Sequence, residues 1–231
     1  MSLKYTIIKT LFHIIPIQNV MAKPYDELLK TFHTAQATPS IPQLKDLELT
    51  FETHSVEHYP AEKIAFLGGS SGAAMVLWLM SYINMQEEGV PMPGKIALSS
   101  PGSALTTEER KRAEELNKTD LIMSTTALDN IFKGRVGERK LPDALLYTSK
   151  GIYDGIKDVY LSYGADEVFS AAAQSTAQQL KSYGANVTLE IAEGMYHTYA
   201  VMPLVKEAKP GHERLVAYLT VETHTEPPLM V

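Results

Sequence analysis

Ser70, Asp166 and His197 are the residues of this chain whose types and settings could perform nucleophilic catalysis. A serine hydroxyl is a weak nucleophile until a base takes its proton, and an imidazole is suited to that near neutral pH. A carboxylate beside the imidazole fixes its tautomer and stabilises its charged form. Ser70 lies in Gly68-Gly69-Ser70-Ser71-Gly72, a G-x-S-x-G run between a strand pattern and a helix pattern. In such an elbow, glycines at 68 and 72 keep side chains out of a tight turn. The serine sits at the apex above a helix N-terminus, whose dipole favours negative charge. A glycine-rich turn without chemistry is the plainer reading of the same run. Asp166 stands in Gly164-Ala165-Asp166-Glu167, where it could orient a histidine or serve only as a turn residue or helix N-cap. His197 closes Glu193-Gly194-Met195-Tyr196-His197, and a lone loop histidine is more often structural than catalytic.

What joins the three is the order of elements around them. Lys63–Leu67 (KIAFL), Lys95–Ser99 (KIALS), Asp158–Tyr163 (DVYLSY) and Val187–Ile191 read as short strands. Helical patterns alternate with them: Ser71–Met85, almost wholly apolar and therefore expected inside; Thr107–Asn117, charged and therefore exposed; Ser124–Phe132 with Ser124 as N-cap; and Val168–Tyr183. Alternating strands and helices predict a mostly parallel sheet covered on both faces. Sites in such sheets lie beyond the carboxyl ends of the strands, and Ser70, Asp166 and His197 each follow one. Upstream, Leu3–Ile15 and Tyr25–Ala37 have helical spacing, and Leu47, Leu49 and Phe51 alternate as in a strand.

From Ala61 to Leu219 the chain resembles an α/β-hydrolase of the hormone-sensitive-lipase-like esterase group. The matching pieces are FLGGSSGAA around Ser70, LSSPG at 98–102, DVYLSYGADEVF at 158–169 and EGMYHTYAVMP with its histidine at 197. The order Ser, Asp, His along the chain is that of this fold. The family commonly shows D-S-A-G-G at the elbow; here Gly69 stands for that Asp and Ala73 for the last Gly. The resemblance implies Ser70 as nucleophile, His197 as general base, Asp166 as the acid that fixes it, and Ser71 as donor of an oxyanion N–H. It implies hydrolysis of carboxylic esters; the apolar residues over 103–156 suggest short to medium acyl chains, and with no P-loop or dinucleotide fingerprint no cofactor is implied. It also implies a core over 46–102 and 157–220, a cap insertion over 103–156 joined by N-terminal helices over 1–45, and a tail over 221–231. The family's glycine-rich H-G-G turn, whose N–H groups face the oxyanion, is not in this sequence. The resemblance therefore predicts an incomplete sheet and an impaired or non-catalytic, ligand-binding homologue as the alternative.

Composition narrows the field further. A net charge of −6 argues against a general nucleic-acid binder, and the absence of cysteine excludes disulfides, thiolate metal sites and a cysteine nucleophile. No run of 18 apolar residues offers a membrane helix. Val20-Met21-Ala22 loosely fits a signal-peptidase site, but Lys9, His13 and Pro16 interrupt the preceding stretch. An amphipathic helix docked on the body of a cytoplasmic protein is the preferred reading. His54-Ser55-Val56-Glu57-His58 matches a zinc-peptidase pattern, yet it continues a strand-like alternation and stops at Pro60, so exposed strand residues and no metal are expected. Met75, Met80, Met85, Met195 and Met202 are expected in the core or lining a pocket, and His212 near the start of a C-terminal helix. The partner expected is a small ester, with a homodimer possible.

Overall fold

The computed structural model describes residues 17–24, 26, 27, 30, 60–86 and 89–220. The expected helices over 3–15 and 25–37, the strand at 47–51, the histidine pair at 54 and 58 and the tail after 220 lie wholly or mostly outside them. The described elements are α1 (Ile17–Met21), β1 (Ala65–Gly69), α2 (Ser71–Met85), β2 (Lys95–Ser99), α3 (Thr107–Leu116) and α4 (Thr125–Val136). They continue with β3 (Asp158–Gly164), α5 (Ala173–Ser182), β4 (Asn186–Ala192) and α6 (Lys209–Thr220).

The four strands form one all-parallel sheet in the order β1-β2-β3-β4. Their two-residue periodicity sorts the side chains into two cores. Ile96 and Leu98 of β2 and Val159, Leu161 and Tyr163 of β3 face one side, with Ala73, Leu77 and Met80 of α2 and Ala177 and Leu180 of α5. Ala97 and Tyr160 face the other, with Leu215, Tyr218 and Leu219 of α6. Helices thus cover both faces, the α/β arrangement that the alternating pattern predicts. The segment 103–156 adds Ala113, Met123, Ala127 and Leu128 to the first core, and Met21 and Ala22 pack on that same core.

Boundaries follow local chemistry. Ser124 caps α4 by accepting the Ala127 N–H, and Thr106 and Glu109 form a reciprocal capping box at the start of α3. That box draws Glu109 inside, with 2% exposure, out of an otherwise solvated charged helix. β1 begins two residues later than the sequence pattern indicates, because Ala61–Lys63 forms a 3-10 turn, and it runs through Gly69. The expected helix over 168–183 begins as a 3-10 segment, Val168–Ala172, before α5.

One expectation fails in an informative way. α2 is apolar all round but not internal: Met75, Leu79 and Tyr82 are 63%, 47% and 50% exposed. These residues share one flank of the helix, and β1, on which α2 packs, is the last strand of the sheet among the described residues. Of the methionines, Met80 and Met195 are buried, whereas Met75 and Met202 are exposed.

Candidate active site

Each of the four strand ends delivers one polar side chain to the same place. Ser70 follows β1, Ser100 follows β2, Glu167 lies three residues beyond β3, and His197 lies five beyond β4. The sheet ladder continues past the strands to hold two of them, with Ser70 N–H donating to Ser99 O (2.9 Å) and Ser100 N–H donating to Ser162 O (2.7 Å).

At the elbow Ser70 adopts φ 52°, ψ −119°, conformational space that only a tightly held residue occupies. Gly68 is required there: a Cβ on it would lie 2.7 Å from both Cα and N of Ala73. Gly72 corrects the sequence expectation, since a Cβ on it would meet nothing within 4 Å. Ser71, Gly72 and Ala73 open α2, so their N–H groups belong to the first turn, which has no intrahelical acceptors. Among the described residues, positive φ occurs at three non-glycine residues, Ser70, Ser100 and Thr198, and all three are in this site. Such strain persists where the surroundings over-determine the backbone.

His197, 5% exposed, faces Ser70 with one nitrogen and a carboxylate with the other. Nε2 lies 2.8 Å from Ser70 Oγ. Nδ1 lies 2.5 Å from Oε2 of Glu167, a residue fully shielded from solvent. Phe169 stacks obliquely on the imidazole, its centroid 5.2 Å away, and keeps water from that flank. A relay of hydroxyl, imidazole and carboxylate can move a proton from the hydroxyl to Nε2 while Nδ1–H stays on the acid.

The acid in this position is Glu167, where the sequence reading points to Asp166. The backbone explains the difference. The turn after β3 is pinned by Ala165 N–H to Ala192 O (2.9 Å) and Asp166 N–H to Met195 O (3.3 Å), while Thr119 Oγ1 donates to Asp166 O (3.1 Å). Gly164 permits this close approach, since a Cβ there would sit 2.2 Å from Met195 O. The next side chain turns back beneath the strand end. Glu167 Oε1 accepts the Gly164 N–H (2.8 Å) and the Ser100 hydroxyl (2.7 Å), which leaves Oε2 for the imidazole. Glutamate is as eligible as aspartate for this place, so the Asp-Glu pair was the available signal. Glu193, four residues before His197, is exposed.

A second carboxylate stands behind the first. Asp120 accepts N–H bonds from Ile122 (2.8 Å) and Met123 (2.9 Å) at Oδ1, and from Val168 (2.8 Å) at Oδ2. It thereby fixes the residue after Glu167. Burial pushes its carboxyl up to about 6, against the opposing effect of those three N–H donors. No cluster of three or more metal-ligating side chains occurs among the described residues.

On the opposite face, the carboxylate of Glu190 binds Arg214, Tyr160 and Tyr199. Burial raises its pKa, but the bonds from Arg214, Tyr160 and Tyr199 outweigh that and hold it at about 2.

Comparison with known proteins agrees with this fold. The family described as alpha/beta hydrolase fold matches residues 26–201. No curated protein sequence matches the chain. Similar solved structures include an esterase from the bacterial hormone-sensitive lipase family, at 20% identity and TM-score 0.63, covering 71% of this chain and 55% of that one. A hormone-sensitive lipase from a metagenome library aligns at 20% identity and TM-score 0.61, covering 69% and 54%. An esterase/lipase from an uncultured bacterium aligns at 20% identity and TM-score 0.60, covering 71% and 54%. The chain spans about half the length of these structures. Among the described residues no helix is long and apolar enough to cross a membrane.

Proposed function

The chain belongs to the alpha/beta-hydrolase fold family, and on that premise we propose that it is a serine hydrolase cleaving carboxylic esters of short to medium acyl chains through an acyl-enzyme. The observation that carries this reading is the continuous pair of contacts Ser70 Oγ–His197 Nε2 and His197 Nδ1–Glu167 Oε2. Esterases among the similar solved structures support the choice of ester over other acyl substrates.

In the mechanism, Ser70 Oγ attacks the ester carbonyl carbon as Nε2 of His197 takes its proton. The imidazolium is stabilised by Glu167, which keeps Nδ1–H directed at itself. The carbonyl oxygen becomes an oxyanion facing the first turn of α2, where the Ser71 N–H donates. The alcohol departs with the proton from Nε2, leaving Ser70 acylated. Water then gives a proton to Nε2 as it attacks the acyl carbon; the bond to Ser70 Oγ breaks, Nε2 returns the proton to Oγ, and the acid leaves. The apolar side chains of the cap segment over 103–156 would receive the acyl chain. The reaction needs no metal or organic cofactor.

A second reading is a ligand-binding homologue with little or no turnover. It is favoured by the absence from the sequence of the glycine-rich H-G-G turn. Hydrolysis of a p-nitrophenyl short-chain ester distinguishes the two. The enzyme reading expects kcat/KM to rise with pH as the imidazole loses its proton, because only the neutral ring accepts the serine proton. It also expects His197→Ala to remove that activity. A protein that leaves activated esters intact at every pH supports the binding reading instead.

A further inference from the structure

Ser99 and Ser100 are neighbours at the end of β2, both wholly buried, and their hydroxyls have opposite fates. Ser99 Oγ has no hydrogen-bond partner. Ser100 Oγ uses both of its capacities: it donates to Glu167 Oε1 at 2.7 Å and accepts the Thr198 N–H at 2.9 Å. Thr198 is the residue after His197 and holds φ 59°, while Ser100 itself holds φ 52°. One hydroxyl thus joins the turn that carries the acid to the loop that carries the base. It also sits on the strand beside the one that presents Ser70.

We infer that Ser100 is a positioning residue, whose hydroxyl sets the Glu167 carboxylate and the His197 loop in register with each other. This inference rests on the hydrolase reading for its consequence in turnover, but its geometry stands without it. Glu167 Oε1 has two donors, and Gly164 N–H is part of the same turn. Ser100 is the donor that reaches across from another strand and also grips the histidine loop. Without it the carboxylate can swing about its own turn, and the Thr198 N–H is left buried without its acceptor. The groups facing Glu167 and His197 are then Ser70 Oγ, the Gly164 N–H, the Phe169 ring and the buried Tyr163, which interacts electrostatically with Glu167, with Asp120 behind the Val168 N–H.

The informative substitution is Ser100→Gly. Glycine accepts φ 52° without strain, so a purely conformational role for this residue would be kept or improved. Ser100→Ala is the companion that retains the Cβ, and Ser99→Ala is the control. The first readout is the His197 imidazole titration by NMR. Ser100→Gly and Ser100→Ala should move its midpoint by about half a pH unit or more, while Ser99→Ala leaves it in place. In a Glu167→Gln background the effect of Ser100→Gly should shrink, because the part carried by the carboxylate charge is gone and only the hold on the Thr198 N–H remains. The second readout is kinetic. Ser100→Gly should lower kcat on an activated ester about 10- to 100-fold, with KM changed less than about threefold, the range for losing a buried hydrogen bond to a charged group. An unmoved titration, or an equal shift with Glu167→Gln, overturns the inference. Wild-type protein that shows the titration pattern yet leaves esters intact overturns the hydrolase reading and keeps this one.

Discussion

Glu167→Gln tests which of two adjacent acids serves the imidazole, and the structure dictates how the amide must sit. Oε1 of Glu167 receives two donors, the Ser100 hydroxyl and the Gly164 N–H, at 2.7 and 2.8 Å. The glutamine carbonyl oxygen must therefore take that position, since an NH2 there would meet two donors. The NH2 then replaces Oε2, 2.5 Å from His197 Nδ1. A donor facing Nδ1 forces that nitrogen to accept, which moves the imidazole proton to Nε2. Nε2–H can no longer take the Ser70 proton across 2.8 Å. The corresponding amide substitution in a serine-protease triad lowers kcat about 10⁴-fold, or roughly 5.5 kcal/mol, and a similar loss is expected here. Folding should survive, because the two bonds at Oε1 remain. Asp166→Asn should stay within about threefold of wild type, since the carboxylate at His197 Nδ1 is that of Glu167. The assay is kcat/KM on a p-nitrophenyl ester, with thermal melts on the same samples. A large loss from Asp166→Asn with little from Glu167→Gln would refute this reasoning.

Three further outcomes are expected. Gly68→Ala should lower the melting temperature and the activity together, since its Cβ would press on the Ala73 backbone at 2.7 Å. Gly72→Ala, with open space around it, should stabilise the helix by about 0.5–1 kcal/mol. Asp120 is a buried acid whose folded-state pKa of about 6 exceeds its unfolded value, so its ionised form weakens the fold above pH 6, and that cost is relieved as pH falls. Urea unfolding of wild type and Asp120→Asn from pH 7 to 4.5 should show the wild type gaining about 2 kcal/mol relative to the variant; a flat difference would contradict the burial argument. With Ser71 as the one oxyanion donor assigned among the described residues, turnover should fall about 10²–10³-fold short of a site with a second donor. Single-turnover acylation kinetics on an activated ester would measure this.

Strands and helices from residue 60 onward were legible because each carries a plain local signal. β2 centres on three consecutive apolar residues, Ile96–Leu98, and is buried throughout, and α2 starts at the residue after the elbow serine, as the motif requires. Ser124 and Gly68 are readable for the same reason: their effect is confined to a few neighbouring residues. Glu167 was not singled out, because choosing between two adjacent acids depends on a turn fixed from outside, by Ala192, Met195 and Thr119. Ser100 carried still less signal. Nothing local separates it from Ser99, and only the meeting of β2, the acid turn and the histidine loop gives its hydroxyl two partners. The exposed flank of α2 misled for a related reason: an all-round apolar helix reads as internal, and which of its sides is covered depends on the strand order of the sheet.

Fluorophosphonate labelling with the adduct mapped by mass spectrometry tests the central claim most directly, because the probe reports a serine activated by its neighbours and needs no knowledge of the natural substrate. A single adduct on Ser70, abolished by His197→Ala and strongly slowed by Glu167→Gln, is the predicted result. An adduct on Ser71, Ser99 or Ser100 instead, or no adduct on folded protein, would contradict the assignment of Ser70, His197 and Glu167 as a working hydrolytic site.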